Sequence, residues 1–176
     1  YFVLDTYMKP AVSKLSRRKS SNGASLIEIL VALLVLSLGV LGMAAMQIRA
    51  VKGNHSAMQR TQAVMLSYYI MDAMRVDASN ARGLNYNTGG TYDTATGKIS
   101  DPVCDATSYG TPTTLQDVNR QHWIQSLKTG VGAAGDSTTC GAILCDANGV
   151  CRVQIFWDDS RIGGLSEQMV ETISRI

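Results

Sequence analysis

Glu28 is a carboxylate set inside an apolar run, ASLIEILVALLVLSLGVLGMAAM over residues 24–46, whose only other strongly polar side chains are Ser25 and Ser37. As a helix that run reaches roughly 35 Å, against about 30 Å of bilayer hydrocarbon. An acid placed there costs a few kcal/mol unless it is neutralised or paired, so Glu28 is expected to be functional and to have a cationic partner. A second set of reactive groups is Cys104, Cys140, Cys145 and Cys151, all beyond the apolar run. The C-x4-C-x5-C spacing of the last three lacks the short C-x2-C pairs of zinc sites, and neither His55 nor His122 adjoins them. Disulfides are therefore expected and a metal is not. Four cysteines allow three pairings. A catalytic histidine needs a nucleophile or carboxylate within reach, and no such constellation surrounds His122, so it is read as a surface or packed group. Asp158 and Asp159 lack an oxygen-rich loop of the EF-hand kind and are read as solvated. No enzyme activity and no cofactor are expected.

The elements that must position these groups follow from charge and hydropathy. Of sixteen basic and fourteen acidic residues, five bases (Lys9, Lys14, Arg17, Arg18, Lys19) and one acid (Asp5) fall within residues 1–23, leaving eleven and thirteen beyond. The larger part is mildly acidic, which lacks the electrostatic footprint of a nucleic-acid binder. The basic cluster before the apolar run predicts a cytoplasmic N-terminus and a translocated C-terminal part, where oxidising conditions favour disulfides. With Met8 as an initiation site, MKPAVSKLSRRKSSNG is a compact basic leader ending in Gly23. A secretory signal cut near Gly42 or Ala44 fits poorly, because the apolar run is too long, carries Glu28 and continues as a helix. A plain uncleaved anchor accounts for the length and leaves Glu28 unexplained.

The basic leader, Gly23, and then ASLIEILVALLVLSLGVLGMAAMQ resemble the class III signal of type IV prepilins, with glycine before the cut and an acid at the fifth mature position. The resemblance implies that a prepilin peptidase cuts between Gly23 and Ala24 and methylates the new amine of Ala24. It also implies that Glu28 meets the N-terminal amine of a neighbouring subunit in the assembled filament, so that two buried ions neutralise each other. One departure stands out: the first mature residue of the family is usually Phe or Met, and here it is Ala24.

Beyond Met46 the helical pattern continues to about Met74. Val51, Met58, Gln62, Met65, Leu66, Tyr69, Ile70 and Ala73 are expected on one face. Gly39, Gly42 and Gly53 weaken the helix; Gly39 with Gly42 reads either as tolerated variation or as a patch for close helix approach. The six methionines on this helix are read as packing groups. Residues 77–113, rich in Gly, Asn, Thr and Asp, read as a long connecting loop in which Tyr86, Tyr92 and Tyr109 are scattered at the surface. Residues 114–128 predict an amphipathic helix capped by Thr113 or Thr114, burying Leu115, Val118, Ile124 and Leu127, and ended by Gly130. Strands follow over 142–145 and 150–158, joined through Ala147, Asn148 and Gly149, which sets Cys145 opposite Cys151 and leaves Cys104 for Cys140. Val153, Ile155 and Trp157 alternate with Arg152, Gln154 and Phe156, as in a sheet with one buried face, and a third strand is expected over 169–176.

The predicted organisation is α+β: leader 1–23, membrane half of a long helix 24–46, amphipathic half 47–76, and a periplasmic globular part 77–176 with a short helix and an antiparallel sheet of three to four strands. Together with the GVLGMAAMQ exit, the late cysteines and VQIFWDD, this is similar to minor pilins of the PilV type, the type IV pilus modification proteins. The likeness implies a pilin fold and a subunit of the priming and tip complex, with roles in pilus assembly, twitching motility and attachment. It implies as partners the prepilin peptidase, other minor pilins, the major pilin, the inner-membrane pilus assembly machinery and the inner membrane. The protein would reside there as a single-pass protein and later in the pilus tip. A minor pseudopilin of a type II secretion system, or a membrane-anchored periplasmic binding module, are the competing readings.

Overall fold

The computed structural model describes residues 23, 25–132, 135–160 and 166–176. The leader through residue 22, and Ala24, lie outside the described residues. The chain is α+β, and its described residues form one long α-helix, two shorter ones and two small antiparallel sheets. It forms two compact units divided between Met43 and Ala44.

Helix α1, Leu26–Val76, is 51 residues long. Its first turn closes when the carbonyl of Ser25 accepts hydrogen bonds from the backbone N–H of Glu28 at 2.8 Å and of Ile29 at 3.2 Å. Within the first unit every described residue from Ser25 to Met43 is exposed, apolar side chains included. The helix is long and apolar enough to cross a membrane. It is continuous through Gly39, Gly42 and Gly53, and a methyl group added at any of the three would meet nothing within 4 Å.

In the second unit α1 lies on the core through Ala63, Ser67, Ile70, Met71 and Met74. This corrects the expected face: Val51, Met58, Met65 and Tyr69 are exposed. That inward face mixes small residues with large ones, and Ser67 shares a 2.8 Å hydrogen bond with Thr172. The short helix α2, Ala78–Arg82, follows directly.

Residues expected to form a structureless loop instead fold in short pieces. A two-stranded ladder pairs β1, Tyr92–Asp93, with β2, Lys98–Ile99. A 3-10 turn covers Ala106–Tyr109, and Val103 bridges Gly141. Helix α3, Leu115–Gly130, begins in a capping box in which Thr114 and Asp117 satisfy each other's backbone N–H groups. Gln116, Trp123, Ile124 and Leu127 are buried on it, whereas Leu115, expected inside, is exposed. Gly130 falls inside the last turn, and the stop comes one residue later as Val131 N–H reaches the Leu127 carbonyl at 2.9 Å.

The main sheet has the order β3-β4-β5, with β3 Cys140–Cys145, β4 Val150–Trp157 and β5 Gln168–Arg175, all antiparallel. β4 is buried on both faces from Val153 to Trp157, not on one. α1 and α3 cover the first face, and the β1–β2 ladder covers the second, where Ile99 packs with Cys140, Ala142 and Phe156.

Candidate functional site

Glu28 stands in the first turn of α1, exposed, and no ion pair engages it among the described residues. An acid in a first turn is favoured by the helix dipole by about 0.3–1 kcal/mol, which is small beside the cost of holding that charge in hydrocarbon. Gly23, the residue before the expected cut, is exposed and precedes the helix.

Both disulfides close the unit on which the folded end of α1 packs. Cys104 is joined to Cys140 and Cys145 to Cys151. The second bond follows from the hairpin: Gly149 takes φ +80°, its N–H donates to the Asp146 carbonyl at 3.0 Å, and Cys145 then lies directly across the ladder from Cys151. Met74 of α1 comes within 3.8 Å of the Cys145 sulfur, so the hairpin bond is packed against the long helix. The first bond ties the 103–104 segment to β3 beside the Val103–Gly141 bridge.

Polar side chains inside the unit act as fasteners. Gln154 is fully buried, accepts from Ile99 N–H at 2.7 Å, and donates to the Gly97 carbonyl and to Glu171, each at 2.7 Å. It thereby holds the β1–β2 ladder on the sheet, helped by Arg152, which pairs with Glu171 and stacks 3.9 Å from the centre of the Tyr92 ring. Tyr86 and Tyr109 are not surface tyrosines. Tyr86 is wholly buried, its hydroxyl contacting Asp77 at 3.3 Å and Asn119 at 2.9 Å, and burial pushes its phenol above the ordinary value. Tyr109 is half-buried under Arg120, again with its phenol raised by burial. Trp123 donates from its indole N–H to the Leu66 carbonyl at 3.0 Å, locking α3 onto α1. Gly141 is required beneath that indole, since a Cβ there would lie 2.5 Å from the Trp123 ring.

Asp159, expected in solvent, is buried and accepts from Ser56 of α1. Asp158 is half-buried and accepts from Ser160 N–H at 2.7 Å. His122 is exposed beside Tyr69, Gln125, Ser126 and Thr129. Hydroxyls near it are spent on helix carbonyls: Ser126 donates to His122 at 2.8 Å and Thr129 to Gln125 at 3.2 Å, so neither is poised as a nucleophile. Among the described residues no three His, Cys, Asp or Glu side chains converge as a metal site.

None of these fasteners beyond the cysteines is legible as a motif. The signal for Gln154 is a lone amide within an otherwise apolar strand, and that for Trp123 is an aromatic at helical spacing from Ile124 and Leu127. Comparison with protein-family models, with curated proteins and with solved structures returns no match.

Proposed function

We infer that this chain is a minor pilin of the PilV kind, inserted in the inner membrane through the apolar half of α1, cut after Gly23, and built into the priming and tip complex of a type IV pilus. The observation that carries the reading is the conjunction of Gly23, Glu28 five positions on, and an apolar stretch continuous with the helix that packs on a cystine-closed sheet. The mechanism is structural. Cleavage frees the amine of residue 24, a neighbouring subunit's amine pairs with the Glu28 carboxylate, and the helix leaves lipid for a bundle of like helices while the domain faces outward. Pairing makes burial of both charges tolerable.

Glu28→Ala tests it. Processing is expected to persist, while incorporation into pili falls by about tenfold or more, because removing one partner of a buried charge pair costs a few kcal/mol. Intact-mass measurement of the cellular protein gives an independent check. A leader still attached in cells with an active prepilin peptidase would overturn the processing step, and normal incorporation of Glu28→Ala would overturn the assembly role.

A further inference from the structure

Between Glu28 and Asp72 the chain contains no carboxylate, yet Arg49, Lys52 and Arg60 fall in that interval with His55 among them. All four are exposed on α1. Arg75, Lys98, Arg120, Lys128 and Arg152 each hold a carboxylate, whereas Arg49, Lys52 and Arg60 meet none among the described residues. The height of these bases along the helix is fixed by the rise per residue. The segment from Ile29 to Ile48 rises about 30 Å, the thickness of the hydrocarbon, so Arg49 stands at its edge and Lys52 about 4.5 Å further out. At a spacing of three the two share a face. Arg60 stands roughly 16 Å beyond Arg49, past the headgroup layer.

We propose that Arg49 and Lys52 form a phosphate-binding collar that holds the headgroups of anionic phospholipids in the leaflet next to the folded domain. This rests on the reading of α1 as a membrane span. A guanidinium grips a phosphate with two parallel N–H donors, and an ammonium adds a point charge beside it. On α1 itself a second copy at the same height offers these bases no acid, since the carboxylates of that helix stop at Glu28 and resume at Asp72, and Asp159, which reaches α1 at Ser56, is buried. Anionic lipid is the phosphate-bearing surface present at that depth, and each base near such a surface strengthens binding by about fivefold.

The test uses the full chain, purified in neutral detergent and mixed with equal phosphatidylglycerol and phosphatidylcholine of identical acyl chains. Lipid retained after gel filtration is counted. Selective retention of phosphatidylglycerol by about tenfold is expected, falling at 0.5 M salt as screening requires. Arg49→Gln with Lys52→Gln should abolish the preference, Arg49→Lys with Lys52→Arg should keep it, and Arg60→Gln should leave it unchanged. No preference in the unaltered chain, an equal loss with Arg60→Gln, or a double Gln variant that keeps the preference while shedding a bound protein would each overturn the collar. Carbonate extraction of membranes separates the two readings: extraction of the chain defeats the span itself, whereas a chain that resists extraction and shows no lipid preference defeats only the collar.

Discussion

Asp117 shows how single residues set the stability of the folded unit. The hydrogen bond from Thr114, followed by that from Arg120 at 2.7 Å, holds its carboxyl at about 2, below the ordinary 3.8. A carboxyl depressed by folding contributes stability that is complete above the unfolded value and is lost as pH falls through the folded one. Urea unfolding should therefore show α3 weakening between about pH 4 and about pH 2, and Asp117→Asn should flatten that part of the profile. Gly141 gives a steric prediction. A methyl group at 2.5 Å from the Trp123 ring forces α3 away from β3, so Gly141→Ala should cost about 1–3 kcal/mol in the same assay. Both residues are unremarkable by type. Their importance comes from neighbours distant in sequence, which is why the apolar periodicity of α3 located the helix and misassigned Leu115.

Among the elements, the two disulfides differ in what they close. Cys104 and Cys140 are 36 residues apart and Cys145 and Cys151 only 6, so chain entropy assigns about 4 kcal/mol to the first and about 2 kcal/mol to the second. Replacing each pair by alanine and measuring thermal unfolding should show the larger loss for Cys104/Cys140. The β3–β4 hairpin was legible because the loop through Ala147, Asn148 and Gly149, with glycine at positive φ, sets Cys145 opposite Cys151. The β1–β2 ladder was not, because two-residue strands have no stability of their own and exist through Gln154, supplied by a strand 55 residues away from Ile99. Gln154→Ala leaves the Ile99 N–H and the Gly97 carbonyl without this partner, and faster amide exchange of the 91–100 segment is expected while β3 and β4 stay protected. For α1, size misled: Met65 and Tyr69 are exposed while the smaller Ala63 and Ser67 are buried, Ser67 meeting Thr172 of β5.

For the whole molecule, the sequence and the structure divide the labour differently. The apolar stretch, its acid and the basic segment before it are readable from residues 1–46 because they follow hydropathy and charge rather than packing. Among the described residues nothing lies within 4 Å of a Cβ added at Gly39, Gly42 or Gly53. Alanine at Gly39 and Gly42 should therefore leave the thermal midpoint of the 44–176 unit unchanged, as near-identical calorimetric traces would show. Any effect of those substitutions on filament incorporation would then report contacts made outside the chain.

The burial of both tryptophans turns the molecule into its own optical reporter. Trp123 and Trp157 are the only indoles in the chain, and both lie in the core of the sheet unit. Ultraviolet emission should accordingly be blue-shifted and indifferent to the lipid or detergent around the apolar half of α1. It should redden when the core opens around either indole, Trp123 on α3 or Trp157 on β4. A membrane sample can thus be read for the integrity of its domain without a label, and insertion itself will pass unseen in that channel.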